Sequence, residues 1–135
     1  MAKATKAKQL SFSLDSRTGL LSEVTAAIAA AKVDITAVCA YEMDGRAYFM
    51  LSADSTAKAK RALSGLGISA DEEDVVSVEM ANKPGELHKA AKRIADAGIN
   101  ISYMYATAGA GRASTGVFST ADDARAIKAI NSKST

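Results

Sequence analysis

The sequence predicts an α+β fold made of two βαββα(β) repeats, each an antiparallel sheet with its helices on one face. Three observations support this prediction. The chain matches itself when it is displaced by 66 residues, and both copies alternate strand patterns with helix patterns. Its 135 residues, 48% apolar and 24% charged, fit one globular domain or two very small ones.

The internal repeat extends without a gap over 44 positions. Residues 10–53 align with residues 76–119, and 11 of the 44 pairs are identical. The glycine pair Gly19/Gly85 and the shared Gly-Arg-Ala at 45–47 and 111–113 exceed what abundant alanine explains. We predict a disordered leader over residues 1–8, a first repeat over 9–73 and a second repeat over 74–135.

Each copy begins with an alternating strand, which a turn connects to an amphipathic helix. Two further strands joined by a hairpin follow, and a second helix closes the copy. The predicted strands are 10–14, 33–41 and 47–53 in the first copy, and 76–80, 99–107 and 113–120 in the second. The predicted helices are 20–32 and 56–66, and 86–97 and 121–131.

This order is the ferredoxin-like layout. The first copy has room for a fourth strand at 68–72, whereas the second copy has none after its last helix. The acidic run 71–74 reads as a solvated loop. Because a unit of this size buries only about 60% of its surface, we expect the two copies to fold as one body.

Charge and composition exclude several classes of function. The net charge is +2, and three of the basic residues lie in the leader, so no basic face for nucleic acid is evident. The sequence has no run of about 18 apolar residues that would predict a membrane span, and no apolar segment near its start that would predict a secretory signal. A single cysteine, Cys39, is typical of a reducing compartment, so we expect a cytoplasmic protein.

Catalytic and metal-binding sets are missing from the sequence. The one histidine, His88, is expected on a helix surface, and Cys39 is expected in the interior of a strand. One histidine and one cysteine cannot form a His/Cys zinc site. We therefore expect a non-catalytic protein without a metal or a cofactor.

The turn Asn82-Lys83-Pro84-Gly85-Glu86-Leu87 is the most informative segment. It leads from a strand into a helix, where unpaired amides and the helix dipole favour a carboxylate. Gly85 allows close approach of a ligand to the backbone. The alternative is that proline, glycine and an asparagine N-cap only shape the turn.

A polar residue stands between two β-branched residues at the start of the second strand of each copy. These segments are Val33-Asp34-Ile35 and Ile99-Asn100-Ile101. A side-chain oxygen there could accept from the ammonium of a ligand whose carboxylate lies at a helix N-terminus. The two features together favour recognition of an amino acid.

The turn at 82–87 and the later Gly98-Ile99-Asn100-Ile101 resemble the ACT domain, which has an Asn-x-Pro-Gly-x-Leu turn and a Gly-Ile-Asn-Ile strand start. The resemblance covers residues 9–131, so the chain looks like a free-standing tandem ACT protein. It implies amino-acid binding at domain interfaces and regulation of a metabolic enzyme. The residues it implies for binding in the second repeat are Asn82, Lys83, Pro84, Gly85, Glu86, Leu87, Asn100 and Ile101.

The first repeat departs from this pattern. Ser16, Thr18 and Asp34 replace the first asparagine, the proline and the second asparagine. Ser16 can still cap a helix and Asp34 could pair with an ammonium. This copy therefore binds the same ligand, binds a different one, or only forms a wall of the site. Its candidate ligand-binding residues are Ser16, Thr18, Gly19, Leu20, Asp34 and Ile35.

We interpret the chain as a regulatory protein that holds an amino acid between the turn of one repeat and the second-strand start of a facing repeat, in the same chain or a partner. Exposed sheet edges favour a homodimer. One alternative is a regulatory subunit of a separate amino-acid biosynthetic enzyme. A weaker alternative is an RNA-binding βαββαβ module, suggested by Tyr48 and Phe49.

Overall fold

The structure is a computed structural model that describes residues 2–108 and 111–132. Alternating apolar positions form its strands, and apolar residues three or four apart form the buried faces of its helices. Within the described residues there are six strands and four helices. The strands are β1 (Lys3–Asp15), β2 (Ile35–Met43), β3 (Arg46–Ala53), β4 (Asp71–Ala81), β5 (Ile101–Ala108) and β6 (Ala113–Thr120). The helices are α1 (Leu20–Ala30), α2 (Thr56–Ser64), α3 (Glu86–Asp96) and α4 (Asp123–Asn131).

The chain divides into two compact units. The first comprises residues 8–73, and the described part of the second comprises residues 2–7, 74–108 and 111–132. In the first unit β3 pairs antiparallel with both β1 and β2, which leaves β2 at the edge. In the second unit β6 pairs in the same way with β4 and β5, which leaves β5 at the edge.

The predicted disordered leader is wrong, because residues 3–8 form the beginning of β1. Ala4 is only 2% exposed and packs in the apolar cluster of the second unit. Its backbone N–H donates to Asn131 Oδ1 at 2.8 Å, and Asn131 Nδ2 donates to Ala4 O at 2.8 Å. The segment therefore provides the fourth strand that the second repeat was predicted to lack.

The predicted fourth strand of the first repeat is also different. Instead of a separate strand at 68–72, β4 begins at Asp71 and continues without a break to Ala81. The acidic run 71–74 is exposed, as expected, but it belongs to this strand and not to a loop. Alternation in β4 begins only at Val76, which explains why the sequence pattern predicted the start of the strand too late in the chain.

Each unit has its own apolar core between the sheet and its helices. In the first unit Phe12 lies opposite Phe49, and their rings stack with centroids 4.9 Å apart. In the second unit Val78 lies opposite Gly116, where a Cβ would come within 2.9 Å of Phe118 Cε1. The second core therefore uses Phe118 in place of the stacked pair.

Strand register corrects the gapless alignment of the repeats. Asp15 lies opposite Arg46, whereas the equivalent Ala81 lies opposite Ala113. The offset between the copies is thus 66 residues up to β5 and 67 from β6 onward, and Arg112 is not the counterpart of Arg46. The extra residue falls between the end of β5 and the start of β6, an interval in which residues 109 and 110 lie outside the described residues.

No helix in the described part of the chain combines the length and the apolar character needed to cross a bilayer.

Candidate ligand-binding site

Both strand-to-helix turns have the same backbone form. Gly19 and Gly85 are the N-cap residues of α1 and α3, with φ of 87° and 89°. This left-handed conformation favours glycine. The expectation that Ser16 and Asn82 cap these helices is wrong, because each lies three residues before the N-cap. Since glycine has no side-chain oxygen, it leaves the amides of the first helical turn without a side-chain cap.

A cavity of about 180 Å³ adjoins the turn of the first repeat. It lies between the start of α1 and the strands β2 and β3. Ser16 and Leu20, two of the predicted site residues, line it. The other lining residues are Arg17, Leu21, Ala40, Tyr41, Ala47 and Phe49.

The rim of this cavity carries an ion pair. Arg17 Nη1 donates to Glu23 Oε2, and Arg17 Nη2 donates to Glu23 Oε1 at 3.2 Å. About half of each side chain is exposed. Through the hydrogen bond, Arg17 holds the pKa of the Glu23 carboxyl below its ordinary value, and Glu23 raises the pKa of Arg17. Both groups are therefore charged at neutral pH, and of the two Arg17 lines the cavity.

The turn of the second repeat is organised differently. Asn82 Nδ2 donates to Gly111 O at 3.2 Å, and the Asn82 backbone N–H donates to Arg112 O at 2.8 Å. Asn82 therefore links the turn to the residues that precede β6 in the same repeat. Lys83, Pro84 and Gly85 are exposed, and Leu87 is 44% exposed.

Glu86 fills the position that Leu20 holds in the first repeat. It is only 5% exposed, and its Oε2 atom lies 2.9 Å from Lys89 Nζ. The ion pair with Lys89 is the main cause that lowers the pKa of the Glu86 carboxyl; other nearby positive charge adds to the effect and burial opposes it. A buried anion thus already occupies the start of α3.

The second-strand starts lie far from the turns of their own repeats. Asp34 and Asn100 are exposed and follow the C-terminal ends of α1 and α3, whereas the turns precede the N-terminal ends. A helix of 11 residues is about 16 Å long. Ile35 and Ile101, one residue further on, pack partly against the two cores. Within a repeat the predicted halves of the site are therefore not brought together.

Backbone hydrogen bonds hold these strand starts. Ala121 N–H donates to Asn100 O at 3.0 Å, and Asp54 N–H donates to Asp34 O at 3.0 Å. The Asp34 N–H donates to Asp54 Oδ1 at 3.1 Å. Thr18, the last of the predicted ligand-binding residues, is exposed in the turn before α1.

Sequence reasoning missed most of the apolar lining of the cavity. Phe49, grouped with Tyr48 as a possible RNA-stacking pair, is 3% exposed and stacks on Phe12 in the core. Tyr48 stacks instead on Tyr41, with centroids 5.2 Å apart. Ala40 and Ala47 gave no local signal, because small residues in a strand look alike whether they line a cavity or not.

A second depression of about 270 Å³ lies at the C-terminal end of α2. It contains none of the predicted site residues, and the partial negative charge of a helix C-terminus does not favour a carboxylate there. Its lining residues are Lys60, Ser64, Gly67, Ile68, Ser69 and Ala70.

His88 is exposed on α3 and Cys39 is half-buried in β2. Among the residues that the structure describes, no group of three or more His, Cys, Asp or Glu side chains could hold a metal ion.

Comparison with known proteins identifies the architecture. A family model described as an ACT domain pair matches residues 5–134. The crystal structure of protein BT0572 from Bacteroides thetaiotaomicron is similar, with a TM-score of 0.85 and 28% identity over 94% of this chain and 88% of that chain. No curated protein matches the sequence.

Two regulatory subunits of aspartate kinase share the fold. The ligand-free subunit from Thermus thermophilus has a TM-score of 0.65 at 14% identity, and the subunit from Thermus flavus has 0.62 at 17%. Each alignment covers 96% of this chain and 93% of the other.

Proposed function

The chain belongs to the ACT domain pair family, and we propose that it is a non-catalytic regulatory protein that binds a free amino acid. The observation that carries this proposal is the cavity of about 180 Å³ at the strand-to-helix turn of the first repeat. Ser16 and Leu20, selected from the sequence as ligand-binding residues, both line it. A mainly apolar cavity with a few polar groups at its rim is the usual form of a small-molecule site.

The turn supplies the carboxylate half of the site. Uncapped amides at the start of α1 and the guanidinium of Arg17 favour a negative charge at this end of the cavity. Gly19 lets a ligand approach the backbone closely. Thr18, which lies between Arg17 and Gly19, is the exposed side chain that the proposal adds to this turn.

The ammonium half comes from a second-strand start. Because Asn100 and Asp34 lie at the far ends of their own helices, such a residue reaches a turn only from a facing repeat, and we assign that repeat to a second copy of the chain. β2 is an edge strand and carries the exposed apolar residues Val38, Tyr41 and Met43. An edge of this kind favours association, so the proposal includes a homodimer.

Regulation follows from binding between copies. A ligand that contacts two repeats favours the arrangement in which both contacts are made, and it shifts the population toward that arrangement. In the second repeat, Asn82, Lys83, Pro84, Gly85, Glu86 and Leu87 form the corresponding turn, and Asn100 and Ile101 form the strand start that faces the ligand of the other copy.

A second candidate is a regulatory subunit of a separate amino-acid biosynthetic enzyme. The observation that favours it is the shared fold with two proteins described as regulatory subunits of aspartate kinase. The two candidates use the same ligand chemistry and differ only in the partner. Addition of the chain and its ligand to purified amino-acid biosynthetic enzymes of the same organism separates them, because only the second candidate changes an enzyme's activity.

A thermal-shift screen against the twenty amino acids at millimolar concentration tests the proposal. A ligand at a hundredfold excess over its dissociation constant stabilises the fold by about 2.7 kcal/mol, a shift of several degrees for a chain of this size. One or a few clear shifts are expected. Twenty unchanged melting curves would overturn amino-acid binding.

A further inference from the structure

The two turns of this chain carry opposite patterns of charge. Arg17 and Glu23 form an ion pair beside the first turn. At the offset of 66 residues the corresponding positions are Lys83 and Lys89, which are both basic. At these two positions only the first turn carries a positive and a negative group side by side, whereas in the second turn Lys89 pairs with the buried Glu86.

The cavity behind the Arg17–Glu23 pair is mainly apolar. Five of its eight lining residues have hydrocarbon side chains: Leu20, Leu21, Ala40, Ala47 and Phe49. No lining residue other than Arg17 is charged. A charged ligand side chain would lose its hydration there and find only the hydroxyls of Ser16 and Tyr41 as partners, whereas an aliphatic or aromatic side chain needs no partner.

The second turn has the reverse chemistry. Leu20 is replaced by Glu86, a buried carboxylate paired with Lys89. At the offset of 67 residues that applies from β6 onward, Phe49 is replaced by Gly116. The α3 start thus already holds an anion of its own, and a ligand carboxylate would be repelled by it.

Resting on the proposed function, we propose that the ligand is an amino acid with an apolar side chain and that the first repeat alone binds this side chain. The side chain enters the cavity between Leu20 and Phe49. The ligand carboxylate accepts from Arg17, whose two hydrogen bonds to Glu23 use only two of its five N–H donors. The ligand ammonium donates to Glu23 and, with its remaining hydrogens, to the Asn100 side chain of the second copy.

The test uses calorimetric titration of the full chain with L-leucine and L-phenylalanine, and with L-lysine and L-aspartate for comparison. Ala40→Leu places a larger side chain at the cavity from an exposed position of β2. Ala106→Leu is its matched control, because Ala106 is the equivalent exposed residue of β5. Ala40→Leu should raise the dissociation constant of the apolar ligand at least about tenfold, and Ala106→Leu should leave it within about twofold.

A second ligand tests the paired charges. 4-Methylpentanoate has the carbon skeleton of leucine without the amino group, so it should bind at least about tenfold more weakly than leucine. In Glu23→Gln this preference for leucine should largely disappear.

The outcomes separate this inference from the proposed function. Binding of lysine or aspartate in preference to leucine and phenylalanine, or binding that Ala106→Leu weakens and Ala40→Leu does not, overturns the inference and leaves amino-acid binding intact. Equal binding of leucine and 4-methylpentanoate overturns the role of Glu23. No binding of any of the twenty amino acids overturns both.

Discussion

Asn131 and Ala4 lie 127 positions apart and form two hydrogen bonds, both 2.8 Å long. The carboxamide of Asn131 satisfies both backbone groups of Ala4 at once. Through this pair the last residue of α4 holds the first strand in the second unit, and the second repeat obtains its fourth strand from the opposite end of the sequence.

Asn131→Ala should lower the free energy of unfolding by about 1–3 kcal/mol, because each of the two hydrogen bonds contributes about 0.5–1.5 kcal/mol net. Urea unfolding followed by circular dichroism measures the change. Ser64 holds the same position in α2, so Ser64→Ala serves as the control and should change stability by less than about 0.5 kcal/mol. Equal stability of Asn131→Ala and the parent would mean that Asn131 does not hold the strand.

The C-terminal ends of α1 and α3 give a second prediction. Both helices end in a Schellman motif, in which Val33 N–H donates to Ile28 O and Ile99 N–H donates to Ile94 O, each at 3.2 Å. The left-handed residue is Gly98 at φ 74° in one helix but Lys32 at φ 59° in the other.

Lys32→Gly should therefore raise the free energy of unfolding by up to about 1 kcal/mol, and Gly98→Lys should lower it by about 1 kcal/mol. A Cβ at Gly98 would meet no atom within 4 Å, so backbone strain alone decides the sign. Urea midpoints of the two variants provide the measurement. A destabilised Lys32→Gly would show that the lysine side chain contributes more than its backbone strain costs.

Glu86 makes stability depend on pH. The ion pair with Lys89 lowers the pKa of the Glu86 carboxyl in the folded chain. The stability that this pair contributes is therefore complete above the ordinary glutamate pKa and is lost as pH falls through the lower, folded value. Glu86→Gln should be less stable than the parent at pH 7, and this difference should shrink toward pH 3. Lys89→Met should reproduce the pattern, and a difference independent of pH would contradict it.

Much of this fold could be predicted from the sequence, since the 66-residue repeat, the four helices and the hairpin strands come from local patterns. The N-terminal strand could not, because its alternating alanines are weak strand formers and resemble a polar leader. The α4 side chain that holds it is distant in sequence. The one-residue change of offset at β6 was hidden by the coincidence of Gly-Arg-Ala in both copies.

The candidate site was predicted less completely. Hydrophobic periodicity, together with the glycine and proline residues between the periodic segments, located both turns. The left-handed glycines lie where a turn into a helix was expected. The cavity itself depends on which side chains a helix and two strands bring together, so Ala40, Ala47 and Phe49 had no signature. The burial of Glu86, which distinguishes the second turn, depends equally on tertiary packing.

Asn100 tests the second half of the proposed site. Its side chain is exposed and only its backbone oxygen takes part in a turn hydrogen bond, so Asn100→Ala should leave the circular dichroism spectrum unchanged. Loss of a hydrogen bond to a charged group is worth about 1.5–3 kcal/mol, which corresponds to a dissociation constant weakened by about 10-fold to 150-fold.

Ser102→Ala, two residues further along and also exposed, is the control for Asn100→Ala, and its affinity should stay within about threefold of the parent. Calorimetric titration with the amino acid that gives the largest thermal shift compares the variants. Parental affinity in Asn100→Ala would remove Asn100 from the site.

Methyl NMR spectra of the leucine-labelled chain, recorded while L-leucine is added, test whether the ligand binds at the turn of the first repeat and not at that of the second. Leu20 and Leu21 line the cavity of the first repeat, whereas Leu87 occupies the position of Leu21 in the second. The methyl signals of Leu20 and Leu21 are expected to shift in a saturable manner, and those of Leu87 are expected to stay unchanged. Shifts of Leu87 without shifts of Leu20 and Leu21, or no saturable shift at all, would contradict this expectation.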